Sequence, residues 1–150
     1  MHYHFLSHAD FLAKLEARHF LEHAQVHGDY YGTSREPVLS NLKNGVDVLI
    51  DIDTQGAATI RNSDDPIIRQ ALADIFIMPP DVEELRRRLM KRGTETAQQI
   101  ESRLATALRE MELWRDYRYT IVSGSVEEDL ENVRNIMSAE TFVSRRLTLN

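Results

Sequence analysis

The chain has no cysteine, which removes both a disulfide framework and any thiolate metal site. Lysine is nearly absent as well: 3 Lys stand beside 15 Arg. No apolar run approaches the roughly 20 residues that a membrane-crossing helix needs. The opening Met1-His2-Tyr3-His4-Phe5 has neither the basic start nor the apolar stretch of a signal peptide. A soluble, cytoplasmic protein with no membrane partner is expected. Net charge is −6, so positive charge is in deficit and a broad nucleic-acid surface is excluded. Finally, no Gly-x-x-x-x-Gly-Lys-Ser/Thr occurs, and none of the 6 glycines sits in a strand–loop–helix phosphate cradle.

What remains is enough for a core. Apolar residues make up 42% of 150, which fits one domain or a core carrying a small lobe. Ser7 is placed to cap a helix with Phe11, Leu12 and Leu15 on one face. Phe20 to His27 partly alternates, Gly28-Asp29 reads as a turn, and Tyr30 to Thr33 returns, which predicts a hairpin. A helix follows Ser34, with Pro37 in its first turn and Gly45 at its end. Val46 to Asp53 carries the strongest strand signal, a β-branched run ending in carboxylates; Asp74 to Met78 and Tyr119 to Val122 repeat it. Helices opened by Asp81-x-x-Glu84, Thr96-x-x-Gln99 and Ser125-x-x-Glu128 alternate with these strands. Alternation of this kind predicts an α/β layer with a parallel sheet.

Four constellations could carry chemistry. Asp51 and Asp53 end the strongest strand, where ligands collect in open α/β sheets. They suit a magnesium–phosphate site, although solvated aspartates would look the same. Arg86, Arg87, Arg88, Arg92 and Arg103 cluster on two helices around Gly93-Thr94, which could close on phosphates; a solvated face balanced by Glu83, Glu84, Glu95 and Glu101 is the plainer account of the pattern alone. The hairpin sets Glu22 near Tyr31-Gly32-Thr33. A carboxylate can accept from the ring N–H and amine of guanine together, and a threonine hydroxyl can meet its carbonyl. An ordinary polar hairpin is the plainer alternative. His19, His23 and His27 would share a helical face, but the segment reads as a strand, and surface histidines are the simpler account.

In combination these residues resemble guanylate kinase, a nucleoside-monophosphate kinase of the P-loop class. The resemblance rests on Tyr3-His4-Phe5-Leu6-Ser7, on Phe20-Leu21-Glu22-His23-Ala24 with Tyr30-Tyr31-Gly32-Thr33-Ser34, and on Asp51-Ile52-Asp53-x-Gln55-Gly56. Arg87-Arg88-Leu89-x-x-Arg92-Gly93-Thr94 and Arg103-Leu104 look like its lid. It implies a P-loop-kinase-like α/β fold: a parallel sheet core flanked by helices, a small α+β GMP-binding lobe over 1–45, and a core over 46–150 with a helical lid at about 86–104. It implies phosphoryl transfer from ATP, with Mg2+, to GMP, giving ADP and GDP. Glu22 and Thr33 would read guanine, Tyr3 and Tyr31 would bond the GMP phosphate, and Asp53 would lie beside GMP. Asp51 would stand on the magnesium side, and Arg88, Arg92 and Arg103 would contact the transferring phosphates.

Two departures stand out. The family opens with a P-loop strand and helix and a phosphate-binding segment that these 150 residues do not hold, so the first core strand is expected to be missing. A truncated chain, inactive by itself and self-associating through the incomplete sheet, is expected. The family's adenine-side strand ends in Asn-Asp-Asp, where this chain has Ser123-Gly124-Ser125. The alternative from another class is a non-catalytic guanylate-kinase-like interaction module, which would be free to lose Glu22, Tyr31, Thr33, Arg92 and Arg103.

Overall fold

Residues 4–26, 28–91 and 96–146 are described by a computed structural model. The chain divides into two compact units, Met1–Leu72 and Ala73–Asn150.

In the first unit Ser7 caps α1 (His8–Glu16), its hydroxyl oxygen accepting the Asp10 N–H at 3.1 Å. Residues 4–7 ahead of it form no strand, and Phe5 is exposed. Past the helix end Arg18 takes a φ of 55°, a left-handed turn that redirects the chain into β1 (Phe20–Val26). β1 pairs antiparallel with β2 (Asp29–Ser34), as the hairpin reading predicts, setting Glu22 opposite Thr33 and Ala24 opposite Tyr31. The pairing is irregular between Phe20 and Glu22. Phe11 stacks on Phe20 with ring centroids 4.5 Å apart, and so fastens α1 to the hairpin. Gly32 permits this, because a Cβ there would lie 2.9 Å from Phe20 Cδ1.

α2 (Arg35–Lys43) follows and ends before Gly45, whose φ is 73°. Residues 46–53 correct the sequence reading. They form no strand, although their side chains keep a strand's alternation. Val48, Ile50 and Ile52 pack against the core, while Asp47, Leu49 and Asp51 are exposed. A strand needs a hydrogen-bonded neighbour, and among the described residues none pairs with this segment. Two short helices that the sequence pattern leaves unassigned come next, α3 (Thr54–Arg61) and α4 (Pro66–Ala71). Asp65 caps α4 by accepting the Ile67 N–H at 2.9 Å, with Pro66 in the first helical position. Leu21, Val38, Ile60 and Ile68 form the buried centre. Residues 46–72 therefore pack with the hairpin in one unit that ends at Leu72, a different division from a lobe ending at 45.

In the second unit β3 (Ile75–Met78) and β4 (Tyr119–Val122) pair in parallel, Ile75 opposite Tyr119 and Met78 opposite Val122. The parallel sheet expected from three segments thus has two strands among the described residues. α5 (Val82–Lys91) starts where Asp81 accepts the Glu84 N–H at 2.7 Å. α6 (Ala97–Met111) and α7 (Val126–Glu140) each open with the reciprocal capping box that the sequence predicts. An Arg86–Glu101 ion pair links α5 to α6. At the far end of α7, buried Glu140 accepts the Tyr119 hydroxyl at 2.6 Å and faces Arg118 and Arg146, each at 2.9 Å. Those contacts tie the end of α7 to the start of β4.

Candidate functional site

The first unit gathers a carboxylate site at the irregular end of the hairpin. Glu22 is only 6% exposed, a burial that carboxylates rarely accept without partners. Its Oε1 accepts the Thr33 hydroxyl at 2.5 Å, straight across the strand pair. Tyr31 lies on the same face two residues away and is about half exposed.

The Asp51 to Gly56 motif meets this site from the other side. Asp53 caps α3, its Oδ1 accepting the Gly56 N–H at 2.7 Å. That bond sets Gly56 in the first turn of α3, close to Glu22. A Cβ on Gly56 would stand 3.0 Å from Glu22 Oε2 and 3.3 Å from Asp53 Oδ1. Glu22, Thr33, Asp53 and Gly56 are therefore one packed group. Asp51 is exposed in the irregular segment before the cap. Gly56 had been quoted only as part of a motif; an isolated glycine inside a helix was the signal that a neighbour approaches closely there. Oε1 of Glu22 is engaged by the hydroxyl, and the carboxylate can still accept further donors through its remaining lone pairs.

The second unit holds the arginines. Glu84, one turn before them on α5, takes Arg87 through Nε and Nη2 at 2.7 and 2.8 Å and Arg88 through Nε at 2.6 Å. The hydrogen bond from Arg88, then that from Arg87, holds the Glu84 carboxyl below the ordinary carboxylate range. Arg88 Nη1 donates to Ser123 Oγ at 3.0 Å, which brings α5 to the end of β4. Ser123 in turn donates to Asp129 Oδ2 at 2.6 Å. Nothing in the local pattern signals this linkage, since Arg88 and Asp129 lie far apart in the chain. Ser125, in the place of the last residue of the family's Asn-Asp-Asp, caps α7 with Glu128. Arg103 lies on the exposed side of α6, next to buried Leu104. Tyr3, Arg92 and His27 lie outside the described residues. His23 is exposed on β1 and His19 just before it, and among the described residues no three His, Asp or Glu side chains are grouped to hold a metal.

A hairpin lobe and a parallel-stranded α/β unit with an arginine-lined helix place the chain among mixed α/β proteins with a polar, buried-carboxylate site. The sequence model described as guanylate kinase matches residues 1–140. A guanylate kinase of Chelativorans sp. (strain BNC1) is 42% identical over 146 residues, covering 97% of this chain and 65% of the relative. A guanylate kinase of Salmonella typhi is 43% identical over 139 residues, covering 93% of this chain and 65% of the relative. The crystal structure of guanylate kinase from Anaplasma phagocytophilum superposes with a TM-score of 0.77 at 34% identity, covering 96% of this chain and 68% of that one. The chain belongs to the guanylate kinase family. It spans about 65% of the length of the curated relatives it matches.

Proposed function

We propose that this chain supplies the GMP-reading and phosphate-neutralising parts of an ATP:GMP phosphoryl transfer. The observation that carries the reading is the buried Glu22 carboxylate locked to Thr33. A carboxylate so placed accepts from guanine N1–H and the exocyclic amine together once the Thr33 hydroxyl exchanges its bond to Glu22 for one donated to the guanine carbonyl oxygen. Adenine presents no such pair of donors, so the same geometry rejects AMP. Asp53 and Gly56 shape the wall beside the base, and Tyr31 with Tyr3 holds the GMP phosphate. Arg88, Arg92 and Arg103 neutralise the transferring phosphoryl group, whose charge spreads over its equatorial oxygens. Magnesium enters with ATP as part of that substrate, on the side of Asp51. In this reading the protein works in the cytoplasm.

The 150 residues contain no Gly-x-x-x-x-Gly-Lys cradle. Without backbone amides on the β-phosphate and a lysine on the γ-phosphate, in-line geometry is not maintained. Turnover then requires a phosphate grip from outside these residues, while guanine recognition does not. Calorimetric titration of GMP and AMP against the chain and its Glu22→Gln form tests the central claim. One acceptor becomes a donor facing a donor, which costs about 1–3 kcal/mol. GMP should bind more weakly to the variant and AMP should be unaffected; equal GMP affinity would exclude guanine reading by Glu22. A coupled assay for ADP and GDP should show nothing above background for the chain alone.

A further inference from the structure

We propose that Ser123 and Asp129 form a positioning relay that fixes the Arg88 guanidinium in one orientation at the end of β4. The inference rests on the reading of Arg88 as a phosphate-contacting arginine and adds to it the device that aims the side chain. Three observations carry it.

The first is burial. Ser123 is only 5% exposed, so its hydroxyl has little access to water and must find its partners within the protein. Both are visible: it donates to Asp129 Oδ2 at 2.6 Å and accepts from Arg88 Nη1 at 3.0 Å. A serine hydroxyl has one proton. With that proton committed to Asp129, only lone-pair density faces the guanidinium, which is the polarity a cation needs.

The second is the anchoring of Asp129 itself. Its other oxygen, Oδ1, accepts the Gly124 N–H at 3.0 Å. The neighbouring capping box of Ser125 and Glu128 fixes the first turn of α7, from which Asp129 projects. The hydrogen bond from Ser123, followed by that from Gly124, holds the Asp129 carboxyl below its ordinary value, so it stays ionised at neutral pH.

The third is the geometry at the arginine. Nε is bound to Glu84 at 2.6 Å while Nη1 is bound to Ser123. A guanidinium is planar, so fixing two of its nitrogens fixes the plane and stops rotation about the Nε–Cζ bond. Neither bond uses Nη2. An anion approaching Nη2 meets a group already oriented, and little ordering is left to be done at the moment of binding. Ser123 thus gains a role in a place where the family pattern has asparagine.

Nitrogen-15 NMR of arginine side chains in the full chain tests this, with the Arg88 Nε–H resonance assigned by its loss in Arg88→Lys. Ser123→Ala and Asp129→Asn should each speed solvent exchange of that proton about tenfold, while Ser123→Thr, which keeps the hydroxyl, should restore slow exchange. Circular dichroism confirms that each variant is folded; should Asp129→Asn unfold, the Ala and Thr replacements of Ser123 decide the matter. Tripolyphosphate is then added. It should shift the Arg88 resonance in the unmodified chain, with a midpoint about tenfold weaker in Ser123→Ala. Equal exchange in the unmodified and Ser123→Ala chains overturns the relay. Altered exchange with no tripolyphosphate shift overturns the phosphate role of Arg88 instead, and an equal midpoint in both chains overturns positioning while leaving that role intact.

Discussion

Replacing Gly56 with alanine separates folding from recognition. The new Cβ would lie 3.0 Å from Glu22 Oε2, 3.3 Å from Asp53 Oδ1 and 3.4 Å from Glu22 Cδ. Contacts that tight require the neighbours to give by a few tenths of an ångström. Glu22 has little room, since its other oxygen is held by Thr33 at 2.5 Å and the residue is buried. Asp53 is held by the Gly56 amide it caps. The carboxylate must therefore tilt about the Thr33 bond. Two terms then oppose each other in stability. Alanine gains up to about 1 kcal/mol of helix propensity over glycine, and overpacking costs about 1–3 kcal/mol. The net change in stability should be a loss of roughly 0–2 kcal/mol from these same two terms. Recognition has no such compensation. A tilted carboxylate misaligns both bonds to guanine, and GMP should bind about tenfold more weakly, near 1.4 kcal/mol. Thermal melting beside calorimetric titration measures both quantities. A double-mutant cycle with Glu22→Gln sharpens the test, because the two changes act on one carboxylate and should not add. Unchanged GMP affinity in Gly56→Ala, or full additivity with Glu22→Gln, would show that Gly56 does not clear space for the reading carboxylate.

Acid should weaken the pairs that Glu84 makes with Arg87 and Arg88 in the second unit. Its carboxyl is depressed by Arg88 and then Arg87, so the stabilisation is present above its ordinary value of 4.5 and is lost as pH falls through the lower folded value. Carbon-13 titration should place Glu84 below that value, and Arg87→Gln with Arg88→Gln should move it back up; a midpoint that does not respond would contradict the pairing. The two-stranded sheet should drive self-association, since β3 and β4 pair only with each other among the described residues and Ile77 and Val122 are 53% and 55% exposed. Sedimentation at micromolar concentration should show a dimer or larger species that Val122→Lys weakens, and a strictly monomeric chain would rule this out.

Local features were legible in the sequence and pairwise ones were not. The caps at Ser7, Thr96 and Ser125 read correctly because each is decided within four residues. The hairpin read correctly because Gly28 separates two runs that must then face each other, although Asp29, read as part of the turn, already opens β2. Residues 46–53 read as a buried strand and are not one, since a strand is defined by a neighbour that the pattern does not name. The alternation survived all the same, with Val48, Ile50 and Ile52 inward. α3 was hidden by the same misreading: Asp53, taken as the end of a strand, is the cap of a helix. At α4 the signal was present in Asp65-Pro66, an N-cap followed by proline. The Glu22–Thr33 pair was legible through the family motif, and its tight approach to Gly56 was not. Ser123 reads in sequence only as a departure from the family pattern, because the Arg88 that meets it lies 35 residues away.

That contrast bears on the two groups of residues to which the proposed function assigns roles. Each group is held by contacts within its own unit. Glu22, Thr33, Asp53 and Gly56 depend on the hairpin and α3, both before Leu72. Arg88, Glu84, Ser123 and Asp129 depend on α5, β4 and α7, all after it. In the proposed reading, the base-reading group can be formed before the phosphates are in place, and the arginine can be aimed before the base arrives. The two groups also differ in kind. Glu22 is buried, which makes a wrong hydrogen-bond partner costly and so favours selectivity. Arg88 and Arg103 are exposed, so a phosphate can reach them and leave again while Arg88 keeps its bonds to Glu84 and Ser123. Selecting one base calls for the first property, and passing a phosphoryl group on calls for the second.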